Sequence, residues 1–180
     1  MAIQSEVDKV ATIIDVMVNG DGNSGTAATN YNLTTLDSAA TAGTLTLKAW
    51  LAFKMKFVAP YMLTGALTQE AVALQMQLLN AGTANIPLVM LAGASNFGSF
   101  RQMNPGLADG VALGWTSDAP SLKIVGFDGR FAVERVTEIG GNITEVEKFV
   151  SRQTQALFMT EIEGFDIFNQ DAVKTLDVNA

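Results

Sequence analysis

Two glutamates near the C-terminus, Glu161 and Glu163 in FMTEIEGF, come closest to a catalytic pair in type and spacing. If this segment is a β-strand, side chains two residues apart point to the same face. Paired carboxylates perform acid and base catalysis, and glycosidases hold such a pair roughly 5 to 9.5 Å apart. Alternation alone is not specific, and a solvated strand face paired with Arg130, Arg135 or Arg152 is the simpler interpretation. A hydrolase that uses the two glutamates therefore stays open as one interpretation, and an exposed strand face with ion pairs is the other.

The stretch NGDGNSG, residues 19–25, matches two binding motifs at once. Its three glycines spell G-x-G-x-x-G, and its Asn and Asp residues alternate like the first ligands of a calcium loop. A dinucleotide site needs a strand before the motif and a helix after it, whereas here a helical pattern precedes it and a polar segment follows. A calcium loop needs Gly at its sixth position and Glu at its twelfth, where this chain has Ser24 and Asn30. The sequence therefore predicts a glycine-rich end of a helix.

The composition excludes several kinds of active site. The 180 residues include no histidine and no cysteine, which excludes imidazole-based triads, thiolate nucleophiles, disulfides and most zinc and iron sites. The net charge is −7 and the 11 basic residues are scattered, which argues against nucleic-acid binding. No secretion signal and no apolar run of the roughly 18 residues needed to span a membrane is present. We therefore expect a soluble protein without catalytic, cofactor-binding or metal-binding residues.

Apolar periodicity predicts three helices. The first covers Ile3–Val18, the second covers about Leu45–Phe57, and the third covers QEAVALQMQLL with Thr68 as its cap. The second helix is predicted to place Leu47, Trp50, Leu51 and Met55 on one face, and to stop before Pro60. Residues 19–43 read as a long polar loop.

Short β-branched or aromatic segments predict strands in the second half of the chain. They are a short strand at Tyr61–Leu63, then IPLVML, VALGW, LKIVGF and RFAVERV, with a turn at Asp128 and Gly129 and a long loop over Gly93–Gly110. Thr144 and Glu147 fit a helix capping box, whereas the residues from Phe149 to Glu163 favour a strand.

One long segment is almost free of charge. Between Phe57 and Phe100 the only charged residue is Glu70. This segment must therefore hide much of its surface, either in the core or against another chain. The core is the simpler interpretation, but neutral exposed patches of sufficient size mark interfaces.

The C-terminal third, FDGRFAVERVTEIGGNITEVEKFVSRQTQALFMTEIEGFDIFNQDAVKTLDV, resembles the closing segment of tailed-phage major capsid proteins with the HK-ninety-seven-like fold. In that family a stretch like RFAVERVTEIG leads into a long strand like RQTQALFMTEIEGF and then a terminal turn and strand like FNQDAVKTLDV. The upstream helix ending in NGDGN, the LTLKAWLAFKMKF helix and the VALGW region are similar in the same order. The resemblance implies an α+β fold with a spine helix and an axial-domain mixed sheet with flanking helices. It also implies three parts: residues 1–40 as the peripheral spine helix and connecting loop, 41–142 as the axial domain, and 143–180 as a return to the peripheral domain.

The resemblance also has a departure. Family members carry an N-terminal arm and an extended loop ahead of the spine helix, and this chain starts inside that helix. Three explanations stay open: the chain is a fragment, it is a prophage remnant, or the missing parts are supplied elsewhere. Because those parts tie subunits together, we expect the isolated chain to be monomeric or to form small, weak, ring-like oligomers.

The function implied by the resemblance is structural. The chain is predicted to be a non-enzymatic major capsid protein, or a truncated form of one, that self-associates into a phage head shell and resides in the virion after synthesis in the host cytoplasm. Other capsid or scaffolding proteins are possible partners. The alternatives are a capsid-like nanocompartment shell and a carboxylate-dependent hydrolase that uses Glu161 and Glu163.

Overall fold

The computed structural model describes residues 2–20, 27–81, 86–87, 89–90, 106–108, 110–137, 143–149, 154–160 and 163–180. Its helices are α1 (Ala2–Asn19), α2 (Leu33–Leu36), α3 (Leu47–Lys54) and α4 (Glu70–Leu78), with a 3-10 turn at Gln170–Ala172. Its strands are β1 (Thr29–Asn32), β2 (Gly65–Thr68), β3 (Asn80–Ala81), β4 (Ile86–Pro87), β5 (Val89–Met90), β6 (Gly106–Ala108), β7 (Val111–Trp115), β8 (Lys123–Phe127), β9 (Val133–Thr137), β10 (Ile143–Phe149), β11 (Thr154–Thr160), β12 (Glu163–Ile167) and β13 (Val173–Asp177). The predicted α+β class is confirmed.

A seven-stranded mixed sheet organises the fold, with strand order β1-β13-β8-β2-β7-β6-β5. The β1–β13 and β2–β7 pairs are parallel, and the other pairs in this sheet are antiparallel. Strand β1 lies beside the C-terminal strand, with Thr29 opposite Lys174. The sheet thus draws strands from each of the three parts 1–40, 41–142 and 143–180. That division into domains stays a prediction.

Side-chain alternation along the strands divides the core into two layers. Ile124 of β8 belongs to a cluster with Trp50 and Phe53 of α3 and Met76 of α4. Its neighbour Val125 belongs instead to a cluster on the other face of the sheet, with Met17 of α1. This period of two is what places helices on both faces of one sheet.

The first helix predicted from the sequence is present as α1. Ile14 and Met17 on this helix are buried. The helix ends at Gly20, which has φ +80° and donates its N–H to Val16 O at 2.8 Å. Glycine adopts this left-handed conformation without steric cost, so the predicted glycine stop is confirmed at this residue. Residues 21–26 lie outside the described residues.

Several boundaries differ from the sequence prediction. The supposed polar loop at 19–43 contains β1 and α2. Tyr61–Leu63 is not a strand, and Thr68 does not cap α4. Thr68 ends β2, and its Oγ1 donates to Lys123 O at 2.8 Å, so the hydroxyl serves the sheet rather than the helix.

Strands β9 to β12 form two separate two-stranded ribbons. Thr144 and Glu147 lie in β10, which ends at Phe149 and pairs with β11, so the capping-box interpretation is wrong, and the strand predicted to begin at Phe149 is instead β11, which begins at Thr154. Strand β12 pairs with β9, with Glu163 opposite Thr137. The predicted loop over Gly93–Gly110 falls largely outside the described residues, although β6 lies within it.

Candidate assembly surface

Glu163, one of the two candidate catalytic carboxylates, is held in an ion-pair cluster. Its side chain is 8% exposed and lies 2.7 Å from Lys9 Nζ of α1 and 2.6 Å from Arg135 Nε of β9. Arg135 was among its predicted partners, but the predicted solvated face is wrong, because the carboxylate is buried between a helix and a strand. Glu161 lies outside the described residues. The contacts of Glu163 therefore connect α1 to the β9–β12 ribbon.

Asp128, in the turn after β8, is fully buried and binds two segments of chain. Arg130 Nε and Nη2 donate to its two carboxylate oxygens at 3.0 and 2.8 Å. The backbone N–H groups of Met62 and Arg130 donate to the same carboxylate at 3.0 and 3.1 Å. The hydrogen bonds from Arg130, against the effect of burial, hold the pKa of the Asp128 carboxyl well below its ordinary value. Asp128 thereby fixes the chain at Met62, beside the β2 strand.

A polar cluster sets the start of α3. The Thr46 hydroxyl accepts from Ala49 N at 3.2 Å and donates to Asp37 Oδ2 at 2.8 Å. Lys48 Nζ lies 3.1 Å from Asp37 Oδ1. The hydrogen bonds from Thr46 and Lys48 lower the pKa of the Asp37 carboxyl, so it is ionised near neutral pH. The helix therefore begins at a defined residue in a defined direction.

The face of α3 that packs into the core differs from the predicted one. Ala49, Trp50 and Phe53 are fully buried, whereas Leu51 is exposed and Met55 is 79% exposed. The prediction that Leu51 and Met55 share one face with Trp50 is wrong, because only Trp50 is buried. The helix carries apolar residues on two sides, and only the side with Ala49, Trp50 and Phe53 packs into the core.

The exposed side of α3 borders an apolar groove. The groove encloses about 690 Å³ between the end of α3, the segment before β2 and the turn before β7. It is lined by Leu51, Lys54, Met55, Phe57, Met62, Leu63, Thr64, Gly110 and Val111. Met62 is exposed at this site and is held there by Asp128 through its backbone N–H. The groove is therefore a formed, mostly apolar surface, and the charge-poor segment contributes Phe57, Met62, Leu63 and Thr64 to it.

Helix α4 presents a second apolar surface. Val72, Ala73 and Met76 face the core, whereas Leu74 is exposed and Leu78 is 78% exposed. Gln75 fixes the helix to the segment before α3, because Oε1 accepts from Leu45 N at 2.7 Å and Nε2 donates to Gly43 O at 2.9 Å. Leu74 and Leu78 therefore lie on a helix whose position is fixed by the hydrogen bonds of Gln75.

Other kinds of site receive no support from the described part of the chain. Within it, no group of three or more acidic or other ligating side chains could hold a metal ion. Within the same residues, no helix combines the length and apolarity that crossing a bilayer requires. Exposed apolar side chains are thus the feature that calls for a functional explanation.

Comparison by sequence finds no matching protein-family model and no matching curated protein. Comparison by structure does find matches. The capsid of a native GTA particle is similar over 99% of this chain, with a TM-score of 0.61 and 13% sequence identity. The chain has the HK-ninety-seven-like capsid fold.

The same capsid fold is shared by shells of different kinds. The holo-SrpI encapsulin complex from Synechococcus elongatus is similar over 98% of this chain, with a TM-score of 0.56 and 16% identity. A chain from Mycobacterium phage Che8 is similar over 98%, with a TM-score of 0.53 and 12% identity. This chain spans 64%, 63% and 59% of the GTA, encapsulin and phage chains, which is less than two thirds of each.

Proposed function

We propose that this chain is a structural subunit of a phage head shell and acts by associating with copies of itself. The observation that carries the proposal is the capsid fold along 99% of the chain, shared with the GTA capsid. The exposed apolar groove and the leucines of α4 support it, because clustered apolar side chains on a fixed surface are typical of interfaces. The division into a spine-helix part, an axial domain and a returning peripheral part is included in the proposal.

The observed contacts disfavour the hydrolase alternative. A general acid or base must reach a substrate proton, and Glu163 is instead buried between Lys9 and Arg135. The structures that share the fold are shells. We therefore propose a non-enzymatic role.

A nanocompartment shell is the second candidate, and the match to the encapsulin complex is the observation that favours it. The two candidates differ in what the shell encloses. Particles recovered from cells that express the complete gene should contain nucleic acid if the shell is a phage head. They should contain packaged protein if it is a nanocompartment.

Self-association is tested on the purified chain by sedimentation velocity over a wide concentration range, with negative-stain microscopy of the largest species. We expect monomers at low concentration and small, weak oligomers at high concentration. A single monomer boundary at every concentration would contradict self-association. Uniform closed shells would instead show that segments beyond this chain are not needed for closure.

A further inference from the structure

The groove beside α3 is apolar, and the outward face of α4 carries apolar side chains of the kind that such a groove binds. Leu74 and Leu78 are four residues apart and therefore lie one above the other on the helix. A helix that binds in a groove commonly uses apolar anchors at this spacing. The groove volume of about 690 Å³ lies within the range of about 300–1,000 Å³ typical of pockets that bury sizeable apolar groups. It therefore has room for both leucine side chains.

A charge of opposite sign also lies beside each surface. Lys54 lines the groove, and α3 from Leu47 to Lys54 contains no acidic residue. Glu70 is exposed, is the only charged residue of α4, and lies one turn before Leu74. Opposite charges beside an apolar contact fix its direction and register more than its affinity.

We propose that α4 of one copy docks in the groove of a neighbouring copy, with Leu74 and Leu78 as anchors and Glu70 facing Lys54. The inference rests on the proposed self-association and specifies its surfaces. A second copy is the occupant because the capsid fold belongs to multi-subunit shells, and because one chain presents both surfaces on fixed elements. None of the residues that line the groove belongs to α4.

This contact is heterologous, because it joins two different surfaces. Each added copy leaves one groove and one α4 face available at the ends of the assembly. Such contacts form a ring when the rotation between copies closes, and an open filament when it does not. The proposed contact therefore yields the ring of a capsomer only if the rotation between copies closes.

The test uses the absence of cysteine from the chain. Met55→Cys and Leu74→Cys are made in separate chains of different mass, which are mixed and exposed to a mild oxidant. We expect the mixture to yield at least about tenfold more disulfide-linked heterodimer than either variant alone yields homodimer. Val136→Cys is the matched control, because Val136 is exposed on β9, outside both surfaces. Its cross-linking with either variant should stay at background.

Surface-blocking variants supply a second, non-covalent readout. Met55→Glu and Leu78→Glu should each leave the chain monomeric, whereas their mixture should stop at a heterodimer, because one intact groove and one intact α4 face remain. Val136→Glu should assemble like the wild type. Both target residues are exposed, so circular dichroism and the melting temperature should change little.

The possible results separate this inference from the proposed function. Homodimers of Met55→Cys that match the mixture would indicate groove-to-groove contact and overturn the inference. Wild-type oligomers without heterodimer cross-links would overturn it while leaving self-association intact. Absence of both oligomers and cross-links would contradict both.

Discussion

The loss of the Asp128 carboxylate should destabilise the fold in a pH-dependent way. In Asp128→Asn the amide keeps one acceptor oxygen, so one of the two backbone donors, from Met62 or Arg130, faces an N–H group instead. A hydrogen bond to a charged acceptor contributes about 1.5–3 kcal/mol, and a donor left without an acceptor adds to the cost. The Arg130 side chain is 55% exposed and regains water, so the broken ion pair adds little. We expect a loss of about 2–3 kcal/mol in the free energy of unfolding.

Urea unfolding of both proteins at several pH values measures this loss, and a melting scan should show a decrease of about 4–12 °C. The pKa of the Asp128 carboxyl is lowered in the folded state. Its contribution is therefore fully present above the unfolded pKa of about 3.9 and declines as the pH falls below it. The stability difference between wild type and Asp128→Asn should narrow below about pH 4. A difference that stays constant with pH would refute the reasoning.

Arg130→Gln is the matched control for this prediction. It removes the guanidinium but keeps both backbone N–H groups that bind Asp128. The loss of stability should be smaller than for Asp128→Asn. If the two variants lose equal stability, the Arg130–Asp128 ion pair supplies it, and the hydrogen bonds from the backbone N–H groups of Met62 and Arg130 do not.

Three further predictions address the sheet, the candidate carboxylate and the glycine-rich stretch. Gly65→Ala should lower the free energy of unfolding, measured in urea, by about 1–3 kcal/mol, because the added Cβ would lie 2.5 Å from the Phe127 ring. Gly129→Ala should be nearly neutral, because its added Cβ would lie 3.6 Å from the nearest atom. Glu163→Gln should lower stability by about 1–2 kcal/mol without removing any hydrolytic activity, and a glycosidase activity lost with the fold intact would contradict the structural role. Millimolar calcium, NAD or ATP should leave the melting temperature unchanged, because ligand at a hundredfold excess over Kd would add about 2.7 kcal/mol; a clear increase would show that residues 19–25 form a binding site.

The sequence predicted the elements whose signals are local. Helices α1 and α4 repeat apolar residues at helical spacing, and Gly20 marks the end of α1 through its own backbone conformation. Strands β7 and β8 are short β-branched runs between turn residues. In each case the deciding residues lie within a few positions of one another.

The errors occur where the deciding partner is distant in sequence. Strand β1 is polar and short, and it exists because it pairs with β13, with Thr29 opposite Lys174. Thr68 resembles a helix cap, but its hydroxyl bonds Lys123 O, 55 positions away. Burial of Glu163 likewise depends on Lys9 and Arg135, which come from two other elements. Local periodicity carries no information about such pairings.

Helix α3 shows how a sequence error points to the function. Its core face is filled by Ala49, Trp50 and Phe53, so the fold does not require apolar residues at Leu51 or Met55. Single exposed apolar residues are common and need no explanation. Here, however, they border one groove with Met62, in a chain whose outward α4 face is also apolar. Burial of these side chains against a neighbouring copy explains why two helices that each have a satisfied core face also carry large apolar residues facing outward.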